Sequence, residues 1–210
     1  MKFSKICAEG CGSMKNICVY ASASTQLEPR YYQVGEEMGI LLAEAGYHLV
    51  FGGGTVGLMG ACARGFHQRG RRVISVIPEY LKLPGVYYEE SDEVYVTEDL
   101  RKRKRIMEEL SEGFVILPGG FGTLEELMEI VTLKQLGQHH KPIVVVNCFG
   151  FYDKLMEIFH QLIAERFTDA RFLELCAFVK DPAEAVSYLA GYQHKETISK
   201  WGKQDEKKED

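Results

Sequence analysis

The sequence contains no long apolar run, no surplus of positive charge and no closely paired cysteines. No apolar stretch approaches the roughly 20 residues that a helix needs to cross a bilayer, and the N-terminal segment lacks the apolar core of a signal peptide. The net charge is −5 at pH 7, which argues against a non-specific nucleic-acid binder. These absences predict a cytoplasmic protein that binds neither a membrane nor nucleic acid.

The six cysteines give little support to a metal site. Cys7 and Cys11 lack the C-x-x-C spacing of a zinc site and have no histidine pair nearby. The other four fall inside apolar segments, where cysteine usually acts as a small hydrophobic residue. These four are Cys18, Cys62, Cys148 and Cys176. We therefore expect reduced thiols and require neither a metal nor a cofactor.

The length of 210 residues, with 46% hydrophobic and 26% charged residues, suits one globular α/β domain. Strand-like and helix-like segments alternate along the chain, and near-continuous apolar runs such as residues 143–146 are typical of strands buried on both faces. The pattern predicts a Rossmann-like, doubly wound, mainly parallel sheet flanked by helices, with its ligand site beyond the carboxyl ends of the strands. We expect a lead-in over residues 1–15, a single domain over 16–194 and a charged tail over 195–210.

Residues 118–126, Pro-Gly-Gly-Phe-Gly-Thr-Leu-Glu-Glu, are the most informative segment. They follow an apolar run that predicts a buried strand, and they precede a helical pattern. A glycine-rich loop that opens a helix presents backbone N–H groups at the positive end of the helix dipole, which favours phosphate binding. We predict that the phosphate ligands are the amides of Gly120, Phe121, Gly122 and Thr123.

Glu126 has two possible roles. It can act as a base or nucleophile beside the anion site, in the first turn of the predicted helix. Alternatively, Thr123 and Glu126 can form a capping box, in which the glutamate reaches back to the backbone N–H of the threonine. Glu125 points about 100° away around the helix and is predicted to lie at the surface.

A second glycine loop, over residues 52–60, also follows a predicted strand and opens a helix. Gly52, Gly54 and Gly57 satisfy G-x-G-x-x-G, and Glu79 lies about 20 residues on, as in a dinucleotide-binding fingerprint. The same glycines can instead serve a tight packing turn, or form a wall of a mononucleotide pocket. Two glycine loops at one end of a sheet fit a phosphorylated ligand better than either loop alone.

Residues 101–105, Arg-Lys-Arg-Lys-Arg, resemble a solvated basic patch, but helical geometry separates them. At about 100° per residue, Arg103 falls near the centre of an apolar stripe, and Arg105 points almost the opposite way. A core-facing arginine stays charged and needs an anionic partner. A ligand phosphate, Glu126 or another carboxylate can fill that role.

The loop over residues 52–60, the Arg103-Lys104 pair with Met107, and residues 118–126 together resemble the motifs of the Lonely Guy (LOG) family. These enzymes are cytokinin-activating phosphoribohydrolases, long mislabelled as lysine decarboxylases. The likeness runs from about residue 16 to 189 and implies a Rossmann-like homodimer with an active site near the dimer interface. It places the family's motif arginine on Arg103 and its motif glutamate on Glu126.

Two segments depart from the family pattern. Residues 21–24, Ala-Ser-Ala-Ser, stand where many members have Cys-Gly-Ser-Ser. Residues 83–85, Leu-Pro-Gly, stand about where members often place a substrate-contacting glutamate, and whether Glu89 or Glu90 replaces that glutamate is open. The preferred base, adenine or prenylated adenine, is open with it.

The resemblance implies hydrolysis of the N-glycosidic bond of a purine nucleoside 5′-monophosphate, with either a cytokinin riboside or adenosine as the nucleoside, to free base and ribose 5-phosphate. Glu126 would activate water or stabilise the oxocarbenium-like sugar. Arg103 would bind phosphate or orient Glu126, and its charge would keep the carboxylate ionised. The predicted substrate- and phosphate-binding residues are Gly53, Gly54, Lys104, Gly119, Gly120, Phe121, Gly122, Thr123 and Thr132.

Three other functions use the same glycine loops. A non-catalytic nucleotide or cofactor carrier is the main alternative, although it has no need of an inward arginine paired with a glutamate. An NAD-linked enzyme is the second, and a DNA-binding Rossmann protein, disfavoured by the acidic balance, is the third. A decarboxylase has little support, because no lysine stands out as a Schiff-base residue.

Overall fold

The computed structural model describes residues 15–193, which form an alternating series of strands and helices. The strands are β1 Lys15–Tyr20, β2 Tyr47–Phe51, β3 Val73–Pro78, β4 Glu93–Thr97, β5 Phe114–Ile116, β6 Ile143–Val146 and β7 Ala177–Val179. The helices are α1 Pro29–Glu44, α2 Gly57–Gln68, α3 Leu100–Leu110, α4 Phe121–Gln135, α5 Asp153–Ala164 and α6 Pro182–Gly191.

The seven strands form one sheet in the order β4-β3-β2-β1-β5-β6-β7, and the pairings between neighbours are all parallel. The predicted doubly wound α/β fold is confirmed. The strand order reverses between β1, whose Ile17 pairs with Leu49, and β5, whose Val115 pairs with Val19. Ligands of such sheets bind at this switch point, beyond the carboxyl ends of the strands.

Apolar side chains fill both faces of the sheet. Helices α1, α2 and α6 cover one face, where Leu49 and Phe51 of β2 are buried, and α3, α4 and α5 cover the other, where Val50 is buried. Successive residues of a strand point to opposite faces, so a strand between two helix layers must be apolar throughout. The sheet is therefore a fixed platform for the loops at its carboxyl edge.

The sequence predicted strands over residues 16–20, 47–51, 72–77, 93–97, 113–117, 142–147 and 177–179. It predicted helices over residues 30–45, 57–68, 100–110, 123–136, 152–165 and 182–189. Each predicted bound lies within two residues of the observed one. β1 begins at Lys15, one residue before the predicted start of the domain. The sequence did not predict three short 3-10 helices, which are Glu79–Leu81, Cys148–Gly150 and Ala170–Leu175. The predicted lead-in, apart from Lys15, and the predicted charged tail lie outside the described residues. Within those residues, no helix is both long enough and apolar enough to span a membrane.

Candidate active site

Arg103 and Glu126 form an ion pair at the carboxyl edge of the sheet. The Nη2 atom of Arg103 donates to Oε1 of Glu126 at 2.6 Å, and the two side chains are only 12% and 10% exposed. Arg105, two residues on, is 79% exposed and pairs with Glu109 on its own helix. The predicted inward direction of Arg103 is confirmed, and its partner is Glu126 rather than another carboxylate.

Three elements hold this pair. Helix α3 is capped by the Asp99 side chain, which accepts from the backbone N–H of Lys102 at 2.8 Å, and it presents Arg103 in its first turn. Helix α4 presents Glu126. The third element is Gly52, at the end of β2, where an added Cβ would lie 2.6 Å from Nη2 of Arg103. The guanidinium thus occupies the space that a side chain at position 52 would need.

The apolar stripe predicted around Arg103, formed by Leu100, Ile106, Met107 and Leu110, is narrower in the structure. Met107 is buried, but Leu100 at the start of α3 is 44% exposed. The buried Nε atom of Arg103 has no hydrogen-bond partner among the described residues. A buried N–H without an acceptor is costly, so this arrangement leaves one donor of Arg103 unsatisfied.

Burial raises the pKa of Glu126 to about 7, and the charge of Arg103 opposes that rise without cancelling it. The loss of solvation outweighs the ion pair, so the expectation that Arg103 keeps the carboxylate ionised holds only above about pH 7. A carboxylate with a pKa near 7 is well matched to take a proton from water at neutral pH.

The capping-box interpretation is also wrong. Helix α4 begins at Phe121, two residues earlier than predicted, and its N-cap residue Gly120 makes no side-chain cap. Thr123 is buried within the first turn, and Glu126 lies in the second turn rather than the first, where it faces Arg103. The glutamate is therefore not engaged in capping its own helix.

The start of α4 is open to solvent. An added Cβ at Gly120 or Gly122 would meet no atom within 4 Å, and Phe121 is 93% exposed. The first backbone N–H of α4 to find a helical partner is that of Leu124, which donates to the Gly120 carbonyl at 3.0 Å. The preceding N–H groups lie at the positive end of the helix, where an anion is favoured.

The base of this loop is fixed by the protein itself. An added Cβ at Gly119 would overlap the Thr123 side chain, so Gly119 is needed for packing. The Pro118 carbonyl accepts from the Ser22 N–H at 3.1 Å, which ties the loop to the segment after β1. Only the part of the loop at Gly120–Gly122 is free to approach a ligand closely.

The glycine loop after β2 is packed rather than open. Added Cβ atoms at Gly54, Gly57 and Gly60 would meet Met59, Ser22 and Thr55 respectively. The loop follows β2, whereas the switch point lies at β1. These contacts favour the packing-turn interpretation over the dinucleotide fingerprint, although the loop still borders the Arg103–Glu126 pair.

Comparison with known proteins agrees with this geometry. A family model described as possible lysine decarboxylase matches residues 59–189. The cytokinin riboside 5′-monophosphate phosphoribohydrolase LOG7 of Arabidopsis thaliana is 36% identical over 179 residues, which cover 85% of this chain and 82% of the relative. The enzyme LOG of Oryza sativa subsp. japonica is 39% identical over 165 residues, or 78% and 68% of the two chains. The chain belongs to the LOG family.

Solved structures support the fold of this LOG-family chain. The molybdenum cofactor carrier protein of Chlamydomonas reinhardtii matches with a TM-score of 0.65 at 23% identity, over 84% of this chain and 96% of the other. At that identity the likeness extends to the Rossmann-like architecture and no further.

Two residues predicted to bind substrate lie away from the open loop. Lys104 forms ion pairs with Glu125 and, at 2.8 Å, with Glu129 of α4. Thr132 is exposed and donates to the Met128 carbonyl at 2.7 Å. It lies nine residues beyond Thr123, about 13 Å along the helix at roughly 1.5 Å per residue. A substrate contact at either residue stays a prediction.

Neither Lys104 nor Lys134 supports the lysine decarboxylase activity named in the description of the family model. A Schiff-base lysine needs a lowered pKa, whereas the pKa of Lys104 is raised because the Glu125 and Glu129 carboxylates outweigh its burial. Burial does lower the pKa of Lys134 to about 8. That lysine, however, lies in the last turn of α4, toward the amino ends of the strands, whereas Glu126 lies near their carboxyl ends.

Neither glutamate considered as a replacement for the family's substrate contact is free. Glu89 accepts from the Gly85 backbone N–H at 3.3 Å, and Glu90 accepts from the Tyr88 hydroxyl at 3.3 Å.

The contact between Gly52 and Arg103 was not predicted from the sequence. The first glycine of the G-x-G-x-x-G pattern marked the position, but its neighbour lies 51 residues away and cannot be read from spacing.

Proposed function

We propose that this LOG-family protein hydrolyses the N-glycosidic bond of a cytokinin riboside 5′-monophosphate, giving the free base and ribose 5-phosphate. The observation that carries the proposal is the buried Arg103–Glu126 pair, set beside an open helix start that suits phosphate. Relatives at 36% and 39% identity are named for this activity.

The 5′-phosphate would bind at the amino end of α4, on the amides of Phe121, Gly122 and Thr123, with Gly120 beside them. Binding there is favoured because these N–H groups have no helical partner and the helix dipole is positive at this end. Anchoring the phosphate directs the ribose toward the second turn of α4, where Glu126 lies.

Cleavage passes through an oxocarbenium-like sugar. In its ionised form, Glu126 would take a proton from the attacking water or stabilise the positive charge that develops at C1′ of the ribose. A pKa of about 7 suits the first of these roles, because a general base works best when its pKa is near the operating pH.

Arg103 would hold Glu126 in place through Nη2, and a small shift of its side chain on substrate binding would bring its buried Nε–H to a substrate oxygen. The ion pair uses Oε1 of the carboxylate, and the Nε donor is buried without a partner among the described residues. Arg103 is therefore expected to stabilise the transition state as well as orient the carboxylate.

A nucleotide or cofactor carrier on the same fold is the weaker alternative. Carrier proteins occur among the structural matches, but at 23% identity this likeness concerns the fold alone. Binding without chemistry does not require a buried carboxylate with a raised pKa beside the phosphate site.

A nucleotide panel tests the proposal. Isopentenyl-AMP, AMP, GMP and CMP are each incubated with the protein, and free base and ribose 5-phosphate are quantified by chromatography. We expect release of adenine-type bases, and little release from adenosine or isopentenyladenosine, because remote binding energy orients the reacting bond. Binding of a nucleotide without base release would favour the carrier, and equal turnover of nucleosides would contradict the phosphate site.

We also propose that the protein is a homodimer that works in the cytoplasm. Helix α5 buries none of its side chains fully. Ile158 is 52% exposed and Phe167, just beyond the helix, is 77% exposed, which suits cover by a second copy. Reduced cysteines support the compartment, since Cys18, Cys62, Cys148 and Cys176 are free and buried. Light scattering of wild type and Ile158→Glu tests the dimer, and a monomeric wild type would contradict it.

A further inference from the structure

The segment between β3 and β4, residues 79–92, forms a wall beside the glycine loop at the candidate active site. The Thr55 N–H donates to the Val86 carbonyl at 3.1 Å, and the Tyr88 N–H donates to the Gly53 carbonyl at 2.7 Å. Gly54 and Tyr87 pair between these two bonds as an antiparallel bridge. The wall, called here the β3–β4 loop, is thus held to the glycine loop at residues 86–88 by backbone hydrogen bonds.

Tyr88 fastens this loop to the body of the domain. Its side chain is buried, and its ring meets Phe51 edge-on with centroids 6.2 Å apart. Its hydroxyl lies 2.9 Å from Nδ1 of His67, on α2. The loop is therefore anchored through one side chain to a helix on the far side of the glycine loop.

His67 is held in turn by Asp92. The Nε2 atom of His67 lies 3.1 Å from Oδ2 of Asp92, which also accepts from the Val73 N–H at 2.7 Å. A carboxylate only accepts, so Nε2 carries a proton. The Tyr88 hydroxyl lies within hydrogen-bond distance of Nδ1 of His67, at 2.9 Å, and of the Glu90 carboxylate, at 3.3 Å. Tyr88, His67 and Asp92 thus form a continuous series of hydrogen bonds.

This series of hydrogen bonds reaches the Arg103–Glu126 pair through two adjacent glycines. Tyr88 holds the carbonyl of Gly53, and the neighbouring Gly52 lies against the guanidinium of Arg103. A shift of the β3–β4 loop would therefore move the surface on which Arg103 rests. It would also move the exposed apolar side chains of the loop, Tyr80, Leu83 and Val86.

From this geometry we propose that His67 and Tyr88 are positioning residues, which fix the β3–β4 loop as the wall that receives the base of the nucleotide. They act through Gly53 and do not touch the substrate. The apolar side chains on the loop suit the face of a purine, whereas the open start of α4 suits the phosphate. This inference rests on the proposed function, because it assigns the base to the side of the site away from the phosphate.

The test separates the base half of the substrate from its phosphate half. Tyr88→Phe removes only the hydroxyl, and His67→Ala removes its partner. For both variants we expect the KM for the nucleotide to rise about tenfold, the scale of one lost hydrogen bond. The kcat should fall by less than the KM rises, because the ion pair with Glu126 also holds Arg103. Inhibition by ribose 5-phosphate, which lacks a base, should be unchanged. Because both variants break the contact between Tyr88 and His67, their effects should be less than additive in the double variant.

Tyr192→Phe is the matched control. It deletes the same atom from a hydroxyl that donates to the His140 carbonyl at 2.9 Å, beyond the last turn of α6 and at the opposite edge of the sheet. This variant should leave both constants unchanged. Hydrogen–deuterium exchange should become faster over residues 79–92 in Tyr88→Phe and not in the control.

Two results would overturn the proposal. One is a nucleotide KM that stays at the wild-type value in Tyr88→Phe. The other is parallel weakening of nucleotide and ribose 5-phosphate binding, which would indicate a general loss of structure. If the wild-type protein releases no base, the proposed function fails on its own. The positioning role is then judged from the dissociation constants of the nucleotide and ribose 5-phosphate, measured by calorimetry on the same variants.

Discussion

The two glycine-rich loops leave the same edge of the sheet, but their glycines have different surroundings. In the loop after β2, the space beside Gly52 is filled by Arg103 and the space beside Gly60 by the Thr55 backbone. In the loop after β5, the space beside Gly120 and Gly122 is empty of protein atoms. The first loop needs glycine so that the protein can pack against itself, and the second keeps a helix terminus accessible.

This difference favours the loop after β5 as the place where a ligand approaches the backbone. Where the protein's own atoms fill the space beside a glycine, close packing explains why the residue is glycine. A glycine that faces open space at a helix start has no such explanation, and it suits a close backbone contact with phosphate. Similar sequence patterns can thus have different physical causes, and the following predictions separate them.

The largest expected effect comes from Glu126, on the helix of the open loop. Glu126→Gln keeps the size of the side chain but removes its ability to accept a proton, so base release should fall by about 10³-fold, within the usual range for general acid–base catalysis. Nucleotide binding should remain measurable by calorimetry. Near wild-type hydrolysis of AMP and isopentenyl-AMP would exclude the catalytic role.

Arg103 contacts both loops, since it pairs with Glu126 and fills the space beside Gly52. Arg103→Ala should reduce turnover by on the order of a hundredfold, the scale of losing a transition-state contact. Arg105→Ala, on the exposed face of the same helix, should change turnover only slightly.

Thermal unfolding must accompany this comparison, because breaking a buried ion pair can itself cost about 3–5 kcal/mol. If both variants are folded and equally active, Arg103 has no catalytic role. If Arg103→Ala does not fold, its role is structural, and the mechanism would then depend on Glu126.

A pair of glycine substitutions tests the comparison itself. Gly122→Ala adds a methyl group to open space, so the free energy of unfolding should change by no more than about 0.5 kcal/mol. Turnover should nevertheless fall roughly tenfold or more, because the methyl group would intrude where the phosphate approaches the backbone and disturb its positioning.

Gly60→Ala should behave in the opposite way. Its Cβ would overlap the Thr55 carbonyl, so the stability should fall by about 1–3 kcal/mol, as in other overpacked sites. The folded fraction should keep near-normal activity. Denaturant unfolding and kinetics on both variants decide the matter, and a fully active Gly122→Ala would remove the phosphate from this loop.

Features that depend on local periodicity were predicted correctly from the sequence. Features that depend on contacts between residues far apart in the sequence were not. Helical spacing in α3 was enough to separate Arg103 from Arg105, and alternating segments were enough for the parallel sheet. The roles of Gly52 and Gly122 could not be separated, because a side chain 51 residues away fills the space beside one of them. The link from His67 to Tyr88 was missed for the same reason, and no motif marks it.

The pKa of Glu126 depends on two opposing effects, the charge of Arg103 and the burial of the carboxyl group. The charge of Arg103 could be inferred from the helix pattern, but the degree of burial at Glu126 depends on how α3, α4 and β2 converge. Where burial outweighs a single ion pair, the sequence predicts the wrong direction of the shift.

The smallest expected effect is a shift in the pH dependence. With a pKa of about 7, Glu126 is mostly protonated at pH 6 and mostly ionised at pH 8, so kcat/KM should rise with pH through about 7. Arg103 lowers this pKa. In Arg103→Ala, the rise of the remaining kcat/KM with pH should therefore occur at higher pH than in the wild type.

Arg105→Ala should keep the wild-type profile, since its side chain pairs with Glu109 and not with Glu126. The second ionisation of the substrate phosphate, near pH 6, is common to all three proteins and cannot produce a difference between them. A limb that stays fixed when Arg103 is removed would show that another group controls the reaction, and the general base would then have to be sought outside the open loop and its helix.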